Sequence, residues 1–195
     1  MMDKIRVGFA LTGSFCTFSK VLPVMEQMAA AGYEITPIMS EHASHMDTRF
    51  GTAESFCQRI ESICGKAILT SITDAEPIGP EKRFDVLVIA PCTGNTIAKL
   101  TYAITDTAVT MAAKSHLRND RPVILAVSTN DALSGSAKNI GELLNRKNYY
   151  FVPMAQDNPD KKPRSVVAQM DRIPETIEMA CSGKQIQPIF CNPSC

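Results

Sequence analysis

Three short polar turns carry most of the side chains in this sequence that could hold a ligand. Gly13-Ser14-Phe15-Cys16-Thr17, Pro91-Cys92-Thr93-Gly94-Asn95-Thr96 and Ser128-Thr129-Asn130-Asp131 each combine hydroxyls or an amide with free backbone N–H groups. Each follows an apolar run and leads toward a helical pattern, and helix N-termini bind anions and polar ring edges. The first turn suits a mononucleotide phosphate, held by backbone N–H groups and the Ser14 and Thr17 hydroxyls. A dinucleotide would ask for G-x-G-x-x-G, and Gly8 and Gly13 have nothing else in register. One such turn could be a capped helix and nothing more; three of a kind argue for a shared crevice.

Two further segments hold groups that move protons or bind carboxylates. Ser40-Glu41-His42-Ala43-Ser44-His45-Met46-Asp47 places two of the three histidines in one loop at the end of a strand. A histidine there needs only reach and a pKa near neutrality to act as a general acid or base. As metal ligands, His42, His45 and Asp47 would need a geometry that H-x-x-H in a loop does not secure, so no metal is expected. Gln156 to Ser165 contains Asn158, Lys161, Lys162 and Arg164 among prolines and aspartates. It reads either as a solvated loop or as a mobile lid whose cations meet substrate carboxylates.

These turns need strands to carry them. Lys4–Leu11, Tyr33–Met39, Lys66–Ile72, Val86–Ile89 ended by Pro91, Val123–Val127 and Tyr149–Met154 read as six strands. Pro37 suggests that the second is irregular or at an edge. Helical spacing follows Phe18-Leu22-Met25-Ala29, then Thr52–Cys64, a segment through Leu100 and Ile104, and Val109–His116 after a fresh N-cap at Asp106-Thr107. A helix from Ala137 to Arg146 and a last one marked by Val166, Met170, Ile173 and Ile177, interrupted near Pro174, complete the alternation. The pattern predicts a single α/β domain, a three-layer, Rossmann-like (flavodoxin-like) doubly wound parallel sheet of about six strands. Its core spans about 4–182, with 183–195 as a tail that is a mobile end or an interaction segment, and Cys191 and Cys195 give at best a metal or redox hint.

Composition narrows the partners. Twenty basic and twenty acidic residues leave no net charge, which argues against nucleic acid or an anionic membrane as the main partner. The apolar run before Thr12 is too short for a signal or a membrane span. Seven cysteines without an export signal read as reduced thiols in a cytoplasm.

The turn Pro91-Cys92-Thr93-Gly94-Asn95-Thr96 resembles the P-x-S-A-N-T motif of the homo-oligomeric flavin-containing cysteine decarboxylases and flavin prenyltransferases, and Gly13-Ser14 matches their first phosphate-side turn. His45 falls where the decarboxylases carry a catalytic histidine, and Asn130 matches the asparagine of their P-x-M-N-x-x-M-W motif. The Met and Met-Trp of that motif are absent here, as is the late glycine-rich clamp with its cysteine. In place of the clamp, Pro153-Met154-Ala155-Gln156-Asp157-Asn158-Pro159 and Lys162-Pro163-Arg164-Ser165 resemble the B subunits of dipicolinate synthases of spore-forming bacteria.

The resemblance implies FMN held by Gly13, Ser14, Phe15, Thr17, Ser40, the turn Pro91, Cys92, Thr93, Gly94, Asn95 and Thr96, and Ser128, Thr129 and Asn130. It implies His45 as the catalytic base. Asp106, Gln156, Asn158, Lys162, Arg164 and Ser165 would lie on the substrate side. The implied reaction is oxidation of a dihydrodipicolinate-type ring to pyridine-2,6-dicarboxylate during sporulation. Its implied partner is the A-type dehydrogenase of dipicolinate synthase, which carries NADP, and the chain itself is expected to form a homo-oligomer. The competing readings are an FMN-dependent cysteine decarboxylase, a flavin prenyltransferase, and a non-catalytic flavin-binding partner of a dehydrogenase.

Overall fold

A computed structural model describes residues 4–192. Its strands are β1 (Arg6–Leu11), β2 (Glu34–Met39), β3 (Val86–Cys92), β4 (Val123–Thr129), β5 (Tyr149–Phe151), β6 (Met154–Gln156) and β7 (Val166–Ala168). Its helices are α1 (Phe18–Ala30), α2 (Glu41–His45), α3 (Ala53–Cys64), α4 (Ile72–Ala75), α5 (Gly94–Thr101), α6 (Ala108–Leu117), α7 (Ala137–Leu144) and α8 (Ile173–Cys181). The parallel part of the sheet runs in the order β2-β1-β3-β4-β5. All seven residues of β3 are buried, as a central strand covered on both faces requires. Because the chain goes outward from β1 to β2 and then returns to β3 on the other side, the strand order reverses between β1 and β3. Ligands of doubly wound sheets bind at the carboxyl ends of the strands beside such a reversal. The turns at Gly13 and Thr93 stand there.

The single-domain α/β architecture expected from the alternation is present, with four differences in its elements. Lys66–Ile72 forms no strand; only Leu69 pairs, with Ile38. Pro37 lacks an N–H to extend this edge, and Ser71 with Asp74 closes a capping box that starts α4. The connection into β3 is correspondingly partly internal, since Ala75 and Ile78 are fully buried. Tyr149–Met154 is broken at Val152-Pro153: β5 continues the parallel sheet on β4, whereas β6 pairs antiparallel with β7. Strand β7 in turn pairs antiparallel with Ser128 and Thr129, so the far end of β4 gains a hairpin that brings residues 156–165 toward the third polar turn. Val166 therefore lies in a strand, and Pro174 sits in the first turn of α8, where its missing N–H is harmless.

The 156–165 segment is a hydrogen-bonded turn between β6 and β7, closed mostly on itself and joined to the loop after β4 through Leu133. Lys162 N–H donates to Asn158 O at 2.7 Å, Ser165 N–H to Lys162 O at 3.0 Å, and Leu133 N–H to Arg164 O at 3.0 Å. The described part of the tail is fastened too: Gln185 bonds both the N–H and the carbonyl of Phe151 at 2.7 Å, and Ile186 is buried. Cys191 donates its backbone N–H to Met154 O, while Cys195 lies outside the described residues. The six described cysteines are free thiols.

His116, the third histidine, is structural. It is 1 % exposed and bonds Pro122 O through Nε2, and burial pushes its pKa down from 6.5 to about 4. The folded state thus takes up its proton at lower pH than the unfolded chain does. Stability from this group is present above pH 6.5 and should be lost as the pH falls toward about 4. Urea titrations across that window should show the decline, and it should be smaller in His116→Gln.

Candidate functional site

The three turns are stitched to one another by side-chain hydroxyls. Thr12 Oγ1, buried behind Gly13, donates to Pro91 O at 2.6 Å and accepts Thr93 N–H at 3.1 Å, joining the first turn to the second. Ser14 and Thr17 join the first to the third, with Ser14 Oγ 2.9 Å and Thr17 Oγ1 2.8 Å from Ser128 Oγ and 3.0 Å from each other. Within the second turn, Thr93 caps α5 by accepting the N–H of Thr96. A ring of three hydroxyls can rotate its protons outward toward an anion, since each is both donor and acceptor.

Two hollows open from this seam and share Gly13 and Thr93. The first, of about 360 Å³, is lined by the hydroxyl ring together with Thr129, Asn130 and Lys20, and on its far side by Asp157, Lys162 and Ser165 of the hairpin. The second, of about 350 Å³, is lined by Phe15, Ser40, His42, Met46, Asn95, Thr96 and Lys99. Pro91 and Cys92 are buried in β3 and face neither; Pro91 serves through its carbonyl, and burial raises the Cys92 thiol far above its ordinary range. Among the described residues, no group of three or more His, Cys, Asp or Glu is placed to hold a metal ion. Asp47 instead accepts Ala53 N–H at the start of α3.

The arrangement offers hydroxyl donors and an ammonium for an anion, beside polar and aromatic walls for a ring. A family model described as Flavoprotein matches residues 1–181. The chain belongs to the Flavoprotein family. It is 46% identical to the B subunit of dipicolinate synthase from Bacillus subtilis (strain 168) over 185 residues, covering 95% of this chain and 92% of that one. The crystal structure of the dipicolinate synthase B subunit from Bacillus halodurans C superposes with a TM-score of 0.89 at 45% identity, over 97% of both chains. The FMN-dependent cysteine decarboxylase SpaF is 20% identical with a TM-score of 0.66, over 92% of this chain and 97% of that one, and shares the fold.

Around these hollows the remaining expected residues separate. His42 lines the second hollow, whereas His45, one turn further along α2, is exposed and absent from its lining. Nδ1 of His45 is 3.0 Å from Glu41 O and 2.8 Å from Ser44 Oγ. Asp106 stands outside both hollows and pairs with Lys99 at 2.8 Å. Gln156 turns back onto Pro163 O, and Asn158 Oδ1 accepts Lys161 N–H, so both shape the hairpin. Lys162 reaches the first hollow, and with Arg164 and Asn130 it lines an adjoining one of about 320 Å³.

Thr12, Lys20, Lys99, Asp131 and Asp157 are the residues that sequence reasoning did not assign to the site. Thr12 immediately precedes the first turn, and Asp131 is the last residue of the third, where its carboxylate bonds Thr129 and Ser136. Asp157 lay unremarked among the cations of its loop; its pairing with Lys162 at 2.6 Å depends on the hairpin and has no local signal.

Proposed function

We propose that this chain is the flavin-binding B subunit of a dipicolinate synthase. It would oxidise a dihydrodipicolinate-type ring to pyridine-2,6-dicarboxylate together with an A-type dehydrogenase that holds NADP. The near full-length identity to the Bacillus subtilis protein supports the reaction, and the hydroxyl-lined cleft supports the flavin. The residues present fit an FMN: Ser14, Thr17 and Ser128 with Lys20 for the phosphate, and Thr93, Asn95, Thr96 and Asn130 for the polar edges of a ring system. Gly94 brings the helix start against the third turn with no Cβ between them. A bound flavin would supply a two-electron acceptor.

Aromatising the dihydro ring removes a hydride equivalent and a proton, so the chain must hold the ring and take the proton. Lys162 and Arg164 would meet the two carboxylates, and His45, whose Nδ1 lies 3.0 Å from Glu41 O and 2.8 Å from Ser44 Oγ, would take the proton. Purified chain should carry a flavin absorption spectrum, and with NADP and the partner dehydrogenase it should form pyridine-2,6-dicarboxylate. Oxidation at full rate by a preparation stripped of flavin would overturn the reading, and release of carbon dioxide would turn it toward a decarboxylase. Ser14→Ala should weaken FMN retention about five-fold through a lost hydrogen bond to the ligand, with the fold retained and the urea midpoint lowered slightly by the lost bonds to Thr17 and Ser128; equal flavin content would remove Ser14 from the site.

A further inference from the structure

The third polar turn and the start of α5 meet at a point where no side chain fits. A Cβ on Gly94 would lie 2.6 Å from Ser136 Oγ, 2.8 Å from Thr129 Oγ1 and 2.9 Å from Asp131 Oδ1. Those three atoms form one hydrogen-bonded unit. Thr129 Oγ1 donates to Asp131 Oδ1 at 2.6 Å, and Ser136 Oγ donates to the same carboxylate at 2.9 and 3.0 Å. The backbone carbonyl of Asp131 also accepts the N–H groups of Ser134 and Ser136. Bonds from hydroxyls to a carboxylate are short and strong. Asp131 therefore fixes the end of β4, the loop behind it and the start of α7 at a single point.

Gly94 is required here for space, not for an unusual backbone angle. The P-x-S-A-N-T motif has alanine at this place, and its methyl would collide with the polar unit. The glycine and the aspartate thus belong together in this chain.

We propose that Asp131 is a positioning residue that clamps the third turn onto the α5 N-terminus. Through Thr129 and Ser136 it sets where Ser128 and Asn130 meet a ligand in the first hollow, and the bare Cα of Gly94 lets the clamp close. The clamp rests on the flavin reading of that hollow only for its readout. Asp131→Ala should weaken FMN binding, followed by quenching of flavin fluorescence, about five-fold or more, with an unchanged circular dichroism spectrum. Asp131→Asn keeps an oxygen for both hydroxyls and should stay within about two-fold of the parent. Gly94→Ala should weaken binding in the parent and much less in Asp131→Ala, because without the carboxylate the Ser136 and Thr129 hydroxyls are no longer held against the added methyl. Parental FMN affinity in Asp131→Ala, or additive effects of the two substitutions, would overturn the clamp. A parent chain that binds no FMN would sink the flavin reading instead. The same pair of substitutions would then be compared by urea midpoint, where non-additivity upholds the clamp and additivity overturns it.

Discussion

Replacing His45 by asparagine should leave FMN bound and lower turnover by roughly 10²-fold or more, the usual contribution of a general base. The local geometry of α2 is the reason. Ser40 caps the helix by accepting Ala43 N–H, which sets the helix at the rim of the second hollow. The carbonyl of Glu41, 3.0 Å from Nδ1 of His45, favours a proton on Nδ1 with Nε2 free, while Ser44 Oγ at 2.8 Å can meet either tautomer. The tautomer with Nε2 free is the one a proton acceptor needs. Among the described residues His42 has no such tether, and it lines the hollow wall, so His42→Asn should act chiefly on KM. Rates of both variants across pH, with the partner dehydrogenase present, decide between them. Loss of turnover in His42→Asn with normal turnover in His45→Asn would move the base to His42. Normal turnover in both would end the histidine mechanism.

The sequence exposed the site's floor better than its rim. Ser14, Thr17, Thr93, Thr96, Ser128, Thr129 and Asn130 were legible because each stands directly after a buried strand, and parallel topology alone then gathers the strand ends along one edge. Their mutual bonding was not legible, since Ser14 and Ser128 are 114 residues apart and meet at 2.9 Å only when β1, β3 and β4 are adjacent. The rim depends on pairings with weaker local signals. Strand β7 looked helical because Val166, Met170, Ile173 and Ile177 happen to fit a period of 3.6, and pairing with β4 overrode that pattern. That misreading also concealed the hairpin that holds 156–165 in place. In the same way the composition of 156–165 gives no sign of the backbone bond from Leu133 to Arg164 O, which joins this turn to the loop after β4.

Removing both cations of that hairpin, in Lys162→Ala with Arg164→Ala, should raise KM for the dicarboxylate by ~10²-fold while flavin content stays at the parental level. Each contact of a cation with a carboxylate contributes on the order of 1.5–3 kcal/mol, so Arg164→Ala alone should give ~10-fold or more. Asp157 is an acidic competitor for one of these cations. Its Oδ2 lies 2.6 Å from Lys162 Nζ and raises the pKa of that ammonium above its ordinary value. Both side chains retain solvent exposure, 56% for Lys162 and 27% for Asp157, so the pair is weak and open to exchange. A substrate carboxylate would take the place of Asp157, while Arg164, whose guanidinium forms no ion pair among the described residues, would meet the second carboxylate without displacing anything. Asp157→Asn should therefore lower KM for the dicarboxylate, the opposite sign to the lysine change, and leave kcat near the parent. A monocarboxylate analogue needs only one of the cations, so the double variant should penalise it less than the dicarboxylate. Equal losses for the two substrates, or a parental KM in the double variant, would make the hairpin a surface turn and take carboxylate recognition elsewhere in the cleft.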